Sequence, residues 1–210
     1  MTALRLPAGF AGRRPGRVPS RAVLWLASTS PQRTAILRQL GILHEIVPPA
    51  YVEDDPHDAD PVELVRAHAL GKARSVWRTG GLVLGVDTTV ALDGRIYAKP
   101  ADRADAAAML AALAGRTHEV VSGVCLIGDG FEELHHDTTR VTFRPLTTAQ
   151  IEAYLDQREW EGRAGAYAIQ GKGAAIVERI DGDYLNVVGL PAALLVRLLS
   201  ERVPGATPLG

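Results

Sequence analysis

The chain has 210 residues, 47% of them apolar, which is enough to bury a substantial core in one domain or two small lobes. Its formal net charge of −1 argues against nucleic acid or an anionic membrane as a partner, and no apolar run approaches the roughly 18 residues that span a bilayer. The single cysteine, Cys125, excludes an internal disulfide and a cysteine metal cluster. It is typical of a reducing compartment, so we expect a cytoplasmic protein.

The two ends of the chain differ from the middle in composition. Residues 1–21 contain five arginines, three prolines and three glycines, without an apolar segment long enough for a secretory signal. We expect a flexible extension there; an Arg-rich organelle transit peptide is the alternative. Residues 203–210 contain two prolines and two glycines, which predict a loose tail. The folded domain is therefore expected over residues 22–202.

The first half of this domain alternates short apolar runs with segments whose apolar residues recur at helical spacing. The runs predict strands and the spaced segments predict helices. In chain order the predicted elements are a strand over 22–27, a helix over 31–40, a strand over 43–47, an acidic loop over 50–60, a helix over 61–78 and a strand over 82–86.

The second half adds two hairpins to this alternation. The favoured turn Asp93-Gly94 joins strands over 90–92 and 96–98, and residues 128–130 join longer strands over 118–127 and 134–143. The remaining predicted elements are a helix over 103–113 capped by Asp102, a helix over 147–156, a strand over 174–180 and a helix over 191–202. Because hairpins and crossover helices both occur, we predict an α/β fold with a mixed β-sheet flanked by helices.

The first candidate site is the turn between the first strand and the first helix. Ser30 suits the N-cap and Pro31 the first helical position, but the first turn then carries Arg33 where an acid would complement the helix dipole. Together with Ser28, these residues favour binding of an anion, most naturally a phosphate. The alternative is that Arg33 lies over the surface and the two serines only cap the helix.

The second candidate site follows the predicted strand over 82–86. Asp87 and Thr88 would lie at the same sheet edge as the first site, where ligands of open α/β sheets bind. An Asp at this place can hold a divalent cation or deprotonate a water molecule. The alternative is an Asx turn in which Asp87 accepts hydrogen bonds from the local backbone.

Three further groups of polar residues are weaker candidates. The acidic loop is either a solvated surface or the source of one more carboxylate for a magnesium site; its acids are Glu53, Asp54, Asp55, Asp58 and Asp60. Lys72 and Lys99 suit phosphate as compact charges, although most lysines only confer solubility. In the glycine-rich segment over 163–173, Tyr167 can stack on a ring and Gln170 can pair with the edge of a base.

Several short motifs in this order resemble the Maf family of nucleoside triphosphate pyrophosphatases. They are the segments over 26–33, 72–73, 85–88, 99–100, 115–120, 164–171 and 182–191. The resemblance covers nearly all of residues 22–200. It implies an elongated fold related to the inosine triphosphate pyrophosphatases, with two lobes around a cleft, and a homodimer. It also implies hydrolysis of a nucleoside triphosphate to the monophosphate and pyrophosphate with a divalent cation, Mg²⁺ or Mn²⁺.

The resemblance also implies roles for individual residues. Asp87 matches the proton acceptor and a metal ligand, and Glu53 aligns with a second acid near the metal. Phosphate binding is implied for Ser28, Arg33, Lys72 and Lys99, with Ser30 beside them. Thr88 and Gln170 match positions tied to the choice of base. The late motif resembles the branch of the family that acts on dTTP and UTP.

One position departs from the pattern of the family. Gln32 stands where the family often has the first of two arginines, so this side chain carries no charge. A charge-assisted hydrogen bond is worth about twice a neutral one. Either Gln32 contacts the base or sugar, or triphosphate binding is weaker here.

The alternative function for the whole chain is a nucleotide-binding regulator of septum formation with little catalysis.

Overall fold

The computed structural model describes residues 23–54 and 59–207. The predicted N-terminal extension, Asp55, Asp58 and the last three residues of the predicted tail lie outside the described residues. The strands are β1 (Leu24–Ala27), β2 (His44–Ile46), β3 (Leu82–Leu92), β4 (Arg95–Tyr97), β5 (Thr117–Gly128), β6 (Phe131–Phe143) and β7 (Val177–Asp181). The α-helices are α1 (Pro31–Gln39), α2 (Pro61–Val76), α3 (Arg103–Leu113), α4 (Thr148–Leu155), α5 (Tyr184–Val188) and α6 (Ala192–Arg202).

The seven strands form one mixed sheet. Its order is β2-β1-β3-β5-β6-β7, with β4 also paired to β3. The strand β1 runs parallel to both of its neighbours, whereas β3, β5, β6 and β7 pair antiparallel in succession. The prediction of a mixed sheet flanked by helices is confirmed, including the long β5–β6 hairpin. No described helix is long and apolar enough to cross a membrane.

Three predictions of secondary structure are corrected. The strand expected over 82–86 continues without a break to Leu92, so Asp87 lies in mid-strand and not in an Asx turn after the strand. The strand expected over 174–180 begins only at Val177, because residues 171–175 form a 3-10 helix. The short helix α5, capped by the side chain of Asp183, was not predicted.

Two large apolar clusters lie along the sheet, beside a smaller one between α2 and the sheet. One packs α1 and α6 against β1 and the first half of β3, with Leu37, Leu84 and Leu195 fully buried. The other packs α3 and α4 against the far half of β3 and the strands beyond it, around Leu110 and Phe143. Since β3 contributes to both clusters, the polar residues at its centre lie between them.

Helix α2 packs unusually close to the sheet because two facing positions are glycines. A Cβ atom at Gly85 would collide with the backbone of Ala69, and one at Gly123 would collide with the backbone of Val65. Gly85 and Gly123 lie on the adjacent strands β3 and β5. The close approach brings the residues of α2 that follow Val65 within side-chain reach of the centre of β3.

Candidate active site

A cleft of about 450 Å³ opens at the centre of the sheet, a volume typical of small-molecule sites. The cleft is lined by the turn after β1, the start of α1, the centre of β3 and the loop before the first 3-10 helix (Ala164–Ala166). The residues that the sequence singled out and that line this cleft are Ser28, Ser30, Gln32, Arg33, Glu53, Lys72, Asp87, Thr88, Lys99 and Tyr167. The structure therefore brings the first and second candidate sites together, as expected.

The geometry behind this convergence differs from the predicted one. The last residue of β1, Ala27, pairs with Gly85, and β3 then runs on for seven more residues. Asp87 and Thr88 thus face the cleft from a strand that extends past the end of its neighbour. They are partly exposed, while the residues on either side of them in β3 are buried.

At the start of α1 the serines behave differently from simple caps. Ser30 occupies the N-cap position, but its side chain makes no capping hydrogen bond and instead donates to Oε1 of Gln32 at 3.1 Å. The Ser28 hydroxyl accepts from the backbone N–H of Ser30 at 3.2 Å. The first turn of α1 contains no acid, so no carboxylate there compensates the positive end of the helix dipole, which faces the cleft.

Arg33 is buried and held by three acceptors of the protein. It donates to the carbonyl of Gly189 at 2.9 Å, to the Ser28 hydroxyl at 3.0 Å and to the Thr88 hydroxyl at 3.2 Å. Burial lowers the pKa of its guanidinium, although the negative charges of Asp87 and Glu53 act in the other direction. Arg33 therefore clamps the turn after β1 to β3 and to the end of α5, and its charge lies beside the cleft.

The floor of the cleft holds a cluster of charged groups around Asp87. Nζ of Lys72 lies 2.6 Å from Oδ1 of Asp87 and 2.6 Å from Oε1 of Glu53, so one ammonium group bridges two carboxylates. Burial favours the neutral acid at Asp87, but the hydrogen bond from His68 and the positive charges of Lys72 and Arg33 outweigh it. The pKa of Asp87 is consequently far below its usual range, and the carboxylate is ionised at physiological pH.

His68 completes this cluster and was missed by the sequence reasoning. Its Nδ1 lies 3.3 Å from Oδ2 of Asp87, its Nε2 lies 3.1 Å from the backbone carbonyl of Asp54, and only 2% of the residue is exposed. Glu53, His68 and Asp87 each offer a ligand atom, all within 4.8 Å of one another. The helical spacing between His68 and Lys72 was the available signal, since residues four apart share one helix face.

The opposite wall of the cleft comes from the residues before and within the first 3-10 helix. Arg163 and Glu161 line it, and the Nε atom of Arg163 is buried without a hydrogen-bond partner among the described residues. Lys99 is exposed at the mouth of the cleft. Within residues 23–54 and 59–207, no carboxylate forms an ion pair with either cation.

Tyr167 lines the cleft, but Gln170 does not lie among the lining residues and is exposed. The Tyr167 hydroxyl lies 2.9 Å from Nε2 of the buried His118, and its ring packs edge-on against Phe143. Of the acidic loop, Glu53 reaches the cleft, whereas Asp60 caps α2 by accepting from the N–H groups of Val62 and Glu63. The role of Gln170 therefore stays a prediction.

The profile of the family described as Maf-like protein matches residues 23–202. This chain belongs to the Maf-like protein family. Among curated relatives, the dTTP/UTP pyrophosphatase of Symbiobacterium thermophilum is 47% identical, over 85% of this chain and 93% of its own length. The dTTP/UTP pyrophosphatase of Moorella thermoacetica is 48% identical, over 84% of this chain and 93% of its own length.

Solved structures give a more distant similarity. A HAM1 protein from Coxiella burnetii is 17% identical with a TM-score of 0.47, covering 86% of this Maf-like chain and 99% of that one. The Ham1 protein of Staphylococcus aureus is 16% identical with a TM-score of 0.40, covering 57% and 71% of the two chains.

Proposed function

We propose that this Maf-like protein hydrolyses nucleoside triphosphates to the monophosphate and pyrophosphate, with dTTP and UTP as its preferred substrates. The observation that carries the proposal is the cluster at the floor of the cleft, where the ionised Asp87 lies between Lys72 and His68. Relatives that share nearly half of its residues over more than nine-tenths of their own length bear the name dTTP/UTP pyrophosphatase. We further propose that the enzyme is a cytoplasmic homodimer.

A divalent cation fits the carboxylates of this cleft. Asp87 and Glu53 present oxygen ligands, the donors that Mg²⁺ and Mn²⁺ prefer. When bound, such a cation neutralises charge on the triphosphate and lowers the pKa of a water molecule. Lys72 contacts only one oxygen of each carboxylate, Oδ1 of Asp87 and Oε1 of Glu53. The second oxygen of Asp87, Oδ2, faces Nδ1 of His68.

Asp87 is proposed to orient the attacking water and to accept its proton. The water oxygen attacks the α-phosphorus, the bond from that phosphorus to the bridging oxygen breaks, and pyrophosphate leaves with the bonding pair. The low pKa of Asp87 keeps the acceptor ionised at every physiological pH, but it also makes the carboxylate a weak base. Positioning the water therefore contributes more here than basicity does.

The four cations of the cleft divide into two pairs by their protein contacts. Arg33 is committed to three protein acceptors, and Lys72 to two carboxylates. Lys99 and Arg163 have no such partners among the described residues, so their N–H groups are available to the substrate. We propose that Lys99 and Arg163 bind the phosphate chain directly. Arg33 and Lys72 fix the positions of the residues that they contact and add positive charge to the cleft.

We propose that Gln32, Thr88 and Gln170 determine which base the enzyme prefers. The Thr88 hydroxyl lies 2.8 Å from that of Ser122 and accepts from Arg33, so its position is fixed by the protein. Gln32 lines the cleft with its carbonyl bound by Ser30, which leaves its NH₂ group as a donor. Such a donor suits the carbonyl oxygens of a pyrimidine.

The experiment is a panel of nucleoside triphosphates with Mg²⁺ or Mn²⁺, with pyrophosphate release as the readout. We expect the highest kcat/KM for dTTP and UTP. In Asp87→Asn, kcat should fall about 10²- to 10⁴-fold, the usual contribution of a positioned base, while nucleotide binding is kept. The matched control, Asp93→Asn, changes an exposed Asp in the β3–β4 turn and should retain activity. Wild-type-like pyrophosphate release by Asp87→Asn would contradict the proposed role, and no release from any nucleotide would favour the regulator.

A further inference from the structure

The contacts of His68 fix which of its ring nitrogens carries a proton. A backbone carbonyl only accepts hydrogen bonds, so the Nε2 atom that lies 3.1 Å from the carbonyl of Asp54 is the donor. In the neutral ring, Nδ1 then carries a lone pair. That lone pair points at Oδ2 of Asp87, which is itself an acceptor when ionised. Two lone pairs then face each other, and the arrangement is favourable only with a positive centre between them: either a proton on Nδ1, which makes the hydrogen bond to Asp87 described above, or a metal ion.

The spacing of the two atoms fits a metal ion better than a shared proton. A charge-assisted N–H···O hydrogen bond measures about 2.7–2.9 Å, whereas Nδ1 and Oδ2 are 3.3 Å apart. Two ligands bonded to one cation at about 2.0–2.2 Å lie roughly 3.0–3.5 Å from each other. Glu53 offers a third ligand atom within 4.8 Å of the other two.

The surroundings of His68 match those of a metal-binding histidine. Such histidines donate their second ring N–H to a carbonyl or carboxylate, which fixes the tautomer and the orientation of the ring. Here the carbonyl belongs to Asp54, the residue after Glu53, so one loop supplies both a ligand and the group that orients another. The edge of the Tyr51 ring packs against His68 and restricts its rotation. Lys72 approaches the other oxygen of Asp87 and leaves Oδ2 to this side.

We propose that Nδ1 of His68 is a third metal ligand, beside Asp87 and Glu53, and that it tunes this site toward first-row transition ions. The inference rests on the proposed function and specifies its cofactor. Imidazole nitrogen contributes little to Mg²⁺, which prefers oxygen, whereas it binds Mn²⁺ and, more strongly, Co²⁺. The order of affinity expected without nucleotide is Co²⁺ above Mn²⁺ above Mg²⁺.

The test measures the metal itself, on the full-length protein without nucleotide. Mn²⁺ is added, its binding is followed by the loss of the free-ion EPR signal, and electron spin echo modulation then detects any ¹⁴N nucleus bonded to it. We expect saturable binding with one histidine nitrogen coupled to Mn²⁺. His68→Gln should lose that coupling and weaken Mn²⁺ binding at least about tenfold, with a smaller effect on Mg²⁺ measured by competition. The control, His136→Gln, removes an exposed histidine of β6 and should keep the coupling.

The outcomes separate this inference from the proposed function. Saturable Mn²⁺ binding without nitrogen coupling in the wild-type protein, or no saturable binding, overturns the metal role of His68, and this measurement does not require any variant to fold. Pyrophosphate release that persists in that case leaves the proposed function intact. If nitrogen coupling is observed but the protein releases no pyrophosphate from any nucleotide, the proposed function is rejected and His68 remains assigned as a metal ligand.

Discussion

Nζ of Lys72 lies 2.6 Å from Oδ1 of Asp87. Both side chains are largely removed from solvent, so each charge is stabilised there by the other. The same ammonium group also contacts Glu53, and it therefore holds together the two acids that the proposed function assigns to the metal. The loss of this ion pair is therefore expected to affect both the activity and its pH dependence.

Replacing Lys72 by Gln should lower activity and change its pH dependence. The positive charge of Lys72 helps to hold the pKa of Asp87 far below its usual range, while burial acts to raise it. Without that charge the pKa of Asp87 rises, so protonation inactivates the enzyme at a higher pH than in the wild type. We expect kcat/KM for dTTP to fall about 10- to 100-fold near neutral pH, with the acid limb of its pH profile shifted upward.

The matched control for this prediction is Lys172→Gln. Lys172 is exposed on the second 3-10 helix and contacts Gln157, away from the residues that line the cleft. Its replacement should leave both kcat/KM and the pH profile unchanged. An acid limb at the same pH in Lys72→Gln and the wild type would show that Lys72 does not control the ionisation of Asp87.

Replacing Arg163 by Gln should weaken substrate binding more than the chemical step. The guanidinium lines the cleft without an acceptor among the described residues, so its loss removes a contact to the substrate and breaks no ion pair of the protein. A hydrogen bond to a charged group is worth about 1.5–3 kcal/mol, which corresponds to a KM for dTTP raised roughly 10- to 100-fold. Steady-state kinetics with Arg179→Gln, on the exposed side of β7, provide the control. An unchanged KM would remove Arg163 from the phosphate site.

Gln170→Glu tests whether this side chain selects the base. The resemblance places Gln170 at a position tied to base choice, although the structure leaves it exposed and outside the cleft lining. If it contacts the base, turnover of dTTP and UTP should fall at least about tenfold more than that of purine triphosphates, because a buried mismatch of donors and acceptors is costly. The rates are compared across the nucleotide panel, with Gln39→Glu on the surface of α1 as the control. An equal loss on every nucleotide would show that Gln170 does not select the base.

The sequence predicted most of the fold because the apolar pattern of this chain follows its elements closely. Leu37, Leu84 and Leu195 are fully buried, as their periodic positions indicated. The course of β3 was not predictable in the same way. Asp87 and Thr88 interrupt the apolar run because they face a cleft, and a polar pair after an apolar run has the pattern of a strand end.

The candidate site was predictable only where a motif or an unusual residue marked it. Arg33 at a helix N-terminus and Asp87 after an apolar run both gave such signals. His68 gave only its helical spacing from Lys72 as a signal, because a lone histidine between Val65 and Ala69 otherwise has the pattern of a core residue. Its contact with Asp87 depends on how closely α2 packs on the sheet. Gly85 allows this close packing, but it lies against α2 only in the folded protein, so the contact is not visible in the sequence.

His118 should make the stability of the protein depend on pH. It is 1% exposed, and burial lowers its pKa from 6.5 to about 4. The folded state therefore keeps His118 neutral, while the unfolded chain takes up a proton below its pKa of about 6.5. The stabilisation that depends on a neutral His118 is present in full above that pH. It is lost as the pH falls toward 4, by up to about 3 kcal/mol.

His118→Gln removes this titration and keeps a polar group beside the Tyr167 hydroxyl. We expect the variant to be less stable than the wild type at about pH 7.5 and to lose less of its stability on going to about pH 4.5. Urea unfolding at several pH values measures the free energy of unfolding for both proteins, with the exposed His136→Gln as the control. Parallel pH profiles for His118→Gln and the wild type would mean that His118 takes up its proton without unfolding the core around Phe143.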